Sequence, residues 1–315
     1  MRSLRTSALL GLLLLLSACV STSPPIPPNS LGDFRDTLVQ LNAKSTEALT
    51  AEHEWSYRNY KRWVKGEEAV NPNSLALQFC DSDFDAYWGS CDVESEGTPV
   101  FMVIADSRRD LGRLNQMLVD YANFLLLFNS ANEDTRASLE DAAGRIGQSA
   151  QSIAAGAGLT LNEARFGAFA KIGVGIVEQL LAKKQRDGMV AVLADFQPGI
   201  QAFADLGAQA MQISAAGIQT EYQTEVQPLK RAIVQEQDNT SRLKLVEELI
   251  ALNEQTARQL DVLQSLTAAY GSLPGAHAEL MSALQSGYRA SLNELVASIE
   301  AVGSAYQTLH APGSN

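Results

Sequence analysis

The sequence has few of the residue types on which enzymes and nucleic-acid-binding proteins depend. Its 315 residues include three cysteines and three histidines, and His53, His277 and His310 are widely separated. The H-E-x-x-H, G-x-S-x-G and G-x-x-x-x-G-K-[ST] motifs of proteases, hydrolases and nucleotide-binding proteins do not occur. Acidic residues (36) outnumber basic ones (24), and an acidic chain repels nucleic acid. We therefore expect neither catalysis nor a nucleic-acid partner.

The longest apolar run lies at the N-terminus. Two arginines precede an apolar segment, residues 8–16, which is too short to span a bilayer as a permanent helix. The segment ends in Leu16-Ser17-Ala18-Cys19, and this tetrapeptide resembles the lipobox of bacterial lipoproteins. The resemblance implies that residues 1–18 are a signal peptide. It also implies that Cys19, the first mature residue, carries a diacylglycerol thioether and often a further acyl chain.

The residues after Cys19 bear on localisation. Val20 and Ser21 stand where an aspartate would direct retention in the inner membrane, so the sorting pattern of this class implies the outer membrane, with the body in the periplasm. Two or three acyl chains anchor a protein stably, whereas one does so only marginally. Because the chain is acidic, we expect lipid chains rather than basic patches to supply the membrane contact. The alternative is an ordinary secretory signal that happens to end in a cysteine.

The mature chain retains two cysteines, Cys80 and Cys91. In an oxidising compartment such a pair is best interpreted as a disulfide, and closing so short a loop stabilises a fold by about 3 kcal/mol. The spacing is not C-x-x-C, but a pair of free or reactive thiols is the alternative.

Apolar periodicity predicts a mainly α fold, an elongated antiparallel helical bundle. We expect a proline-rich lipidated linker over 19–30 and a helical domain over 31–310, with an irregular, disulfide-closed insert at 66–105. Within the domain we predict a helix over 31–65, another from Arg108, and three long helices over 186–309. The polar run 235–240 is either a turn or an exposed helix face, and turn residues predict a break at 271–275. The β-branched run 98–105 is either a short strand or a segment that packs the insert on the bundle.

The insert carries an acidic pattern that resembles the calcium loop of an EF-hand. Four aspartates have the oxygen spacing of that loop: Asp81, Asp83, Asp85 and Asp92. Ala86 stands where the loop needs glycine, and Asp92 replaces the bidentate glutamate. Calcium is therefore one interpretation, and an acidic surface loop without a cofactor is the other.

The same insert is our predicted partner-binding site. Its aromatic side chains, Phe84, Tyr87 and Trp88, either pack beneath the loop or form an exposed recognition surface. Binding residues concentrate on loops that a rigid scaffold holds. A second cluster, of aromatic and basic residues at 53–62, has two interpretations: a binding face, or buried rings beside basic side chains.

A glycine-rich stretch, residues 142–182, has apolar residues on nearly every side and is interrupted by Lys171. A helix of this composition is either central in a bundle or able to enter a membrane. From these features we predict an envelope lipoprotein that binds a partner protein or scaffolds envelope structure. The alternatives are a membrane-active protein that inserts residues 150–181 and a periplasmic inhibitor or immunity lipoprotein.

Overall fold

The computed structural model describes residues 28–66, 100–130, 136–156 and 185–309, which are almost entirely helical. Numbered in chain order, the helices are α1 (Pro28–Gly66), α2 (Val100–Asn129), α3 (Arg136–Gly156), α4 (Gln185–Gln235), α5 (Asn239–Ser286) and α6 (Asn293–Leu309). The longest, α4, has 51 residues, which corresponds to about 76 Å of helix. The prediction of a mainly helical bundle is confirmed.

The helices pack as antiparallel neighbours around one apolar core. α4 packs along α5, α1 packs along α2, and α2 also contacts α3 and α4. The predicted stripes form the seams: Leu31, Phe34, Leu38 and Leu41 on α1 are at most 1% exposed, and α2 contributes Leu111, Leu114, Leu118, Tyr121 and Leu125. Burying one such side chain contributes roughly 1.5–3 kcal/mol, so burial of the stripes is the main force that assembles the bundle.

The ends of α5 are defined by specific capping residues. Asp238 precedes the helix in an extended conformation and accepts a hydrogen bond from the backbone nitrogen of Ser241 at 2.7 Å. At the other end Gly287 adopts a left-handed conformation with φ 78°, which glycine tolerates without steric cost. Of the two interpretations of residues 235–240, the turn is confirmed, since only residues 236–238 separate α4 from α5.

The strand interpretation of residues 98–105 is wrong for the part of this run that the structure describes. α2 begins at Val100, and residues 100–105 are helical. Phe101 and Ile104 are both buried and lead into the stripe that continues at Leu111. Burial of one helical face thus outweighs the preference of β-branched residues for strands. No strand occurs within the described residues.

The break predicted at 271–275 is also wrong, because α5 runs through Pro274 to Ser286. Proline inside a helix costs about 3 kcal/mol through its missing N–H group and the clash with the preceding turn. Tyr270, Leu273 and His277 are all fully buried around it. Their burial offsets the cost of Pro274, and the chain turns later, at Gly287.

The N-terminal boundary differs slightly from the prediction. α1 begins at Pro28, so the last three residues of the proposed linker, 28–30, are helical. Proline is well suited to a first helical turn, where its missing N–H group is not needed. The rest of the linker, the insert from residue 67 to residue 99 and most of the glycine-rich stretch lie outside the described residues.

Gly207 on α4 is required by the close approach of α5. A Cβ atom added there would lie 2.8 Å from Cε1 of Tyr270 and closer still to Cγ and Cδ1, whereas one added at Gly271 would meet nothing within 4 Å. We therefore expect Gly207→Ala to lower the free energy of unfolding by about 1–3 kcal/mol. The matched control, Gly271→Ala, should raise it by about 0.5–1 kcal/mol. Urea denaturation measures both, and equal effects would contradict the packing argument.

Candidate functional site

The site residues predicted from the sequence lie outside the described residues. They are the lipidation residue Cys19, the disulfide pair Cys80 and Cys91, the aromatic residues Phe84, Tyr87 and Trp88, and the aspartates Asp81, Asp83, Asp85 and Asp92. These assignments therefore stay predictions. The described residues contain two other features, a buried acidic cluster and a helical arm.

The buried acidic cluster consists of Glu52, Ser56 and Asn59 on α1 with Glu221 and Glu225 on α4. The α1 members follow one another at four and three residues, so they share one face of the helix. The Ser56 hydroxyl donates to Oε2 of Glu221 at 3.0 Å, and the Arg62 guanidinium lies 3.8 Å from the Glu225 carboxylate. Two helices that are remote in sequence thus bring three carboxyl groups together.

Burial sets the protonation of this cluster. Glu52 is fully buried, and neither of its carboxyl oxygens makes a hydrogen bond to a described residue. Desolvation, reinforced by the nearby Glu221 carboxylate, raises the pKa of Glu52 to about 8. Desolvation also raises the pKa of Glu221 to about 7, although the Ser56 hydroxyl opposes this by donating a hydrogen bond to the carboxylate. Both carboxyl groups therefore change their protonation state near neutral pH.

Aromatic side chains cover the same end of the bundle. The ring of Phe101 lies 5.0 Å from that of Tyr57, 5.1 Å from that of Tyr60 and 5.9 Å from that of His53, measured between centroids. The Lys61 ammonium group lies 4.6 Å from the Tyr57 centroid. Packed rings flanked by a basic side chain agree with the structural interpretation of the 53–62 cluster.

The cluster can bind protons, but it is not arranged as a metal centre. Within the described ranges no group of three or more His, Cys, Asp or Glu side chains could hold a metal ion. Glu221 and Glu225 are partly satisfied by Ser56 and Arg62, which leaves Glu52 as the acidic group without a partner among the described residues. With its raised pKa, Glu52 can take up or release a proton near neutral pH where side chains of α1 and α4 meet.

A second polar network holds the centre of the bundle. Nδ1 of His277 lies 2.6 Å from the Gln197 side-chain oxygen, and because that oxygen only accepts, the proton is on Nδ1. Nε2 then accepts from the Tyr121 hydroxyl at 2.8 Å. Burial lowers the pKa of His277 to about 4, which keeps the imidazole neutral. Each member bonds another member, so the network serves packing.

The arm comprises residues 227–255, the outer parts of α4 and α5 with their connecting turn. None of its residues is buried, whereas the two flanking residues, Val226 and Thr256, are buried. Several apolar side chains are more than half exposed on it: Val234 (85%), Leu243 (54%) and Ile250 (53%). A two-helix segment with exposed apolar side chains beyond the core has the composition of a docking element.

A groove lies at the root of the arm. It has a volume of about 560 Å³ and is lined by Tyr222 and Gln223 of α4 and by Asn253, Ala257 and Leu260 of α5, among others. The Tyr222 hydroxyl donates to Oδ1 of Asn253 at 3.0 Å, which ties the two helices together where they leave the core. The arm is therefore attached to the bundle by a defined polar contact.

No protein-family model, curated protein or solved structure matches the chain. Of the helices in the described ranges, none combines the length and apolarity needed to cross a bilayer.

The acidic cluster was not predicted from the sequence. The available signal was the one-face spacing of Glu52, Ser56 and Asn59 within an otherwise apolar stripe, since a polar residue at a core position needs a partner. The partner itself, Glu221, could not be identified without the packing of α1 on α4.

The raised pKa values predict a pH dependence of stability. Folding raises the pKa of Glu52 from its ordinary value of 4.5 to about 8, so its stabilising contribution is complete below pH 4.5 and is lost as the pH rises to 8. Glu52→Gln, which stays neutral, should raise the free energy of unfolding by roughly 2–4 kcal/mol at pH 8 and change it little at pH 4.

Chemical denaturation of both proteins across this range tests the effect. Because burial and Arg108 lower the pKa of His53, that residue opposes folding as the pH falls below 6.5, but it does so equally in both proteins. Glu279→Gln, at an exposed position on α5, is the control and should leave the profile unchanged. A Glu52→Gln profile parallel to that of the wild type would contradict the assignment.

Proposed function

We propose that this protein is a lipid-anchored envelope protein without catalytic activity, which scaffolds envelope structure by holding its arm away from the anchoring membrane. One observation carries the proposal: α1 begins at the end of the bundle opposite to the arm. The Ser30 hydroxyl accepts from the backbone nitrogen of Ala290 at 3.1 Å, and Arg289 forms an ion pair with Asp33 at 2.6 Å. The predicted lipid anchor therefore precedes the end where α5 stops.

The length of α5 gives the reach of such a scaffold. Its 48 residues correspond to about 72 Å from the turn at the end of the arm to Ser286. The predicted linker adds a short extended segment between the acyl chains and Pro28. An anchor at one end and an arm at the other suit a protein that connects a membrane to a component some distance from it.

The exposed apolar side chains support a role for the arm in protein binding. Leu243 and Ile250 are seven residues apart, which places them on the same face of α5. Neither contributes to the core, and an apolar pair at heptad spacing is typical of a surface on which another helix packs.

The arrangement of buried polar groups supports a role without catalysis. Tyr121, His277 and Gln197 hydrogen-bond one another inside the bundle, where they stabilise packing. The buried acidic cluster likewise acts on the contact between α1 and α4 rather than on an open surface.

The anchor is tested by replacing its modified residue. We expect the wild-type protein in the membrane fraction with incorporated palmitate, and Cys19→Ala in the soluble fraction without it, because removal of the acyl chains abolishes stable membrane binding. Ser21→Ala is the matched control and should behave as the wild type does. A Cys19→Ala protein that stays in the membrane fraction would overturn the lipid-anchored part of the proposal.

In-cell photocrosslinking tests the binding role of the arm. A photoreactive residue at Leu243 or Ile250 should give the same discrete protein adduct, because both side chains lie on one face. The control position is Gln209, which is exposed on the body of α4. The same residue at Trp88 tests the insert as the alternative binding site. Adducts from Trp88 alone would transfer the binding role from the arm to the insert.

A further inference from the structure

The outer end of the arm, residues 230–244, differs in charge from the rest of the chain. Lys230 and Arg231 on α4 and Arg242 and Lys244 on α5 are all exposed there. The whole chain has a formal net charge of −12, so this end is a local reversal of sign. The two helices bring four cations, two from each side of the turn, to one end of the molecule.

The acidic residues at this end are occupied by the backbone. The Asp238 carboxylate caps α5, and hydrogen bonds from Ser241 hold its pKa below the usual range. Glu236 accepts from the backbone nitrogen of Asp238 at 2.9 Å. Both negative charges thus lie against the positive end of the α5 dipole. None of the four cations forms an ion pair with an acidic side chain within the part of the chain that the structure describes.

An apolar side chain accompanies these cations. Val234 is 85% exposed, which is the highest value among the large apolar side chains of the described residues. It lies nearer to the turn at 236–238 than Lys230, Arg231 or Lys244. An apolar residue at the extremity with basic residues behind it matches the order of layers in a bilayer, where acyl chains lie beneath charged headgroups.

We propose that the outer end of the arm binds an anionic bilayer surface through its four exposed cations and Val234. The inference rests on the proposed function, because it is the scaffold that holds this end about 72 Å from the end where α1 begins. The net charge of the chain predicts repulsion from such a surface, but the Debye length in physiological salt is only about 8 Å. Residues 230–244 carry four cations against Glu236 and Asp238, a net charge of +2, and the next carboxylates, Glu247 and Glu248, lie one helical turn behind Lys244. At that range the four cations, which are nearest to the end of the arm, outweigh the rest of the acidic chain.

The expected affinity of four cations for an anionic membrane suits a protein that is already anchored nearby. One Lys or Arg near an anionic surface contributes about fivefold to membrane partitioning, so four contribute several hundredfold. That gain is modest for a protein free in solution. Several anchored copies that face the same surface bind it together, because attachment of the first copy raises the effective concentration of the others.

A vesicle-bridging assay tests the proposal with the complete lipidated protein. The protein is reconstituted through its acyl chains into phosphatidylcholine vesicles, which are then mixed with vesicles of equal parts phosphatidylethanolamine and phosphatidylglycerol. We expect the two populations to cluster, as measured by energy transfer between labelled lipids. Phosphatidylcholine vesicles as the second population should not cluster, and high salt should disperse the clusters.

A charge-matched pair of variants assigns the effect to the arm. Lys230→Gln combined with Arg231→Gln and Lys244→Gln should weaken clustering by about a hundredfold, the product of three fivefold losses. The control replaces three exposed cations near the end of α1: Arg58→Gln, Lys61→Gln and Lys65→Gln. All these positions are exposed, so the arm variant should melt as the wild type does. The control variant should melt slightly lower, because Lys61→Gln removes the contact between Lys61 and the Tyr57 ring. The control variant should cluster like the wild type.

Three results would overturn the proposal: no clustering with anionic vesicles, equal clustering with neutral ones, or an equal loss in both triple variants. Discrete protein adducts from Leu243 in cells together with silent vesicles would show that the arm binds a protein. The scaffold function would then stand, while the bilayer assignment would not. Loss of reconstitution itself, by contrast, would count against the lipid anchor and hence against the proposed function.

Discussion

Four of the six described helices meet at the side chain of Tyr270. Its hydroxyl on α5 donates to Asn115 on α2 at 3.1 Å, and the amide nitrogen of Asn115 donates to Ser45 on α1 at 2.8 Å. The Tyr270 ring lies against Gly207 of α4. A polar group at the centre of a core is costly unless it is satisfied, so these bonds fix the register of all four helices together. The positions of the acidic cluster and of the arm both depend on that register.

Much of the fold was predictable because the helices bury long apolar stripes. The helix over 31–65 and the three helices over 186–309 were predicted from apolar periodicity alone, and a turn was one of two interpretations of residues 235–240. The two errors share one cause. Residues 100–105 and 271–275 have local preferences for strand and turn, yet Phe101 and Leu273 are buried at helical positions. The energy of packing, which local sequence does not reveal, outweighs both preferences.

The functional features were less predictable than the fold. Glu52 and Glu221 are far apart in sequence, and only the packing of α1 on α4 brings them together and raises their pKa values. The basic end of the arm is different, because Lys230, Arg231, Arg242 and Lys244 stand close together in the sequence. The net charge of the chain obscured them. Their meaning depends on the turn at 236–238, which folds two short basic runs against each other.

No side chain between residues 227 and 255 is buried, and the length of this arm sets the reach of the molecule. That length is largely independent of the core, because within the arm only Leu252, close to the bundle, packs against the core. Removal or insertion of seven residues in each helix would preserve the seam between α4 and α5 and change the reach by about 10 Å. The span of the molecule can therefore change during evolution in steps of one heptad, while the bundle that carries the arm stays the same.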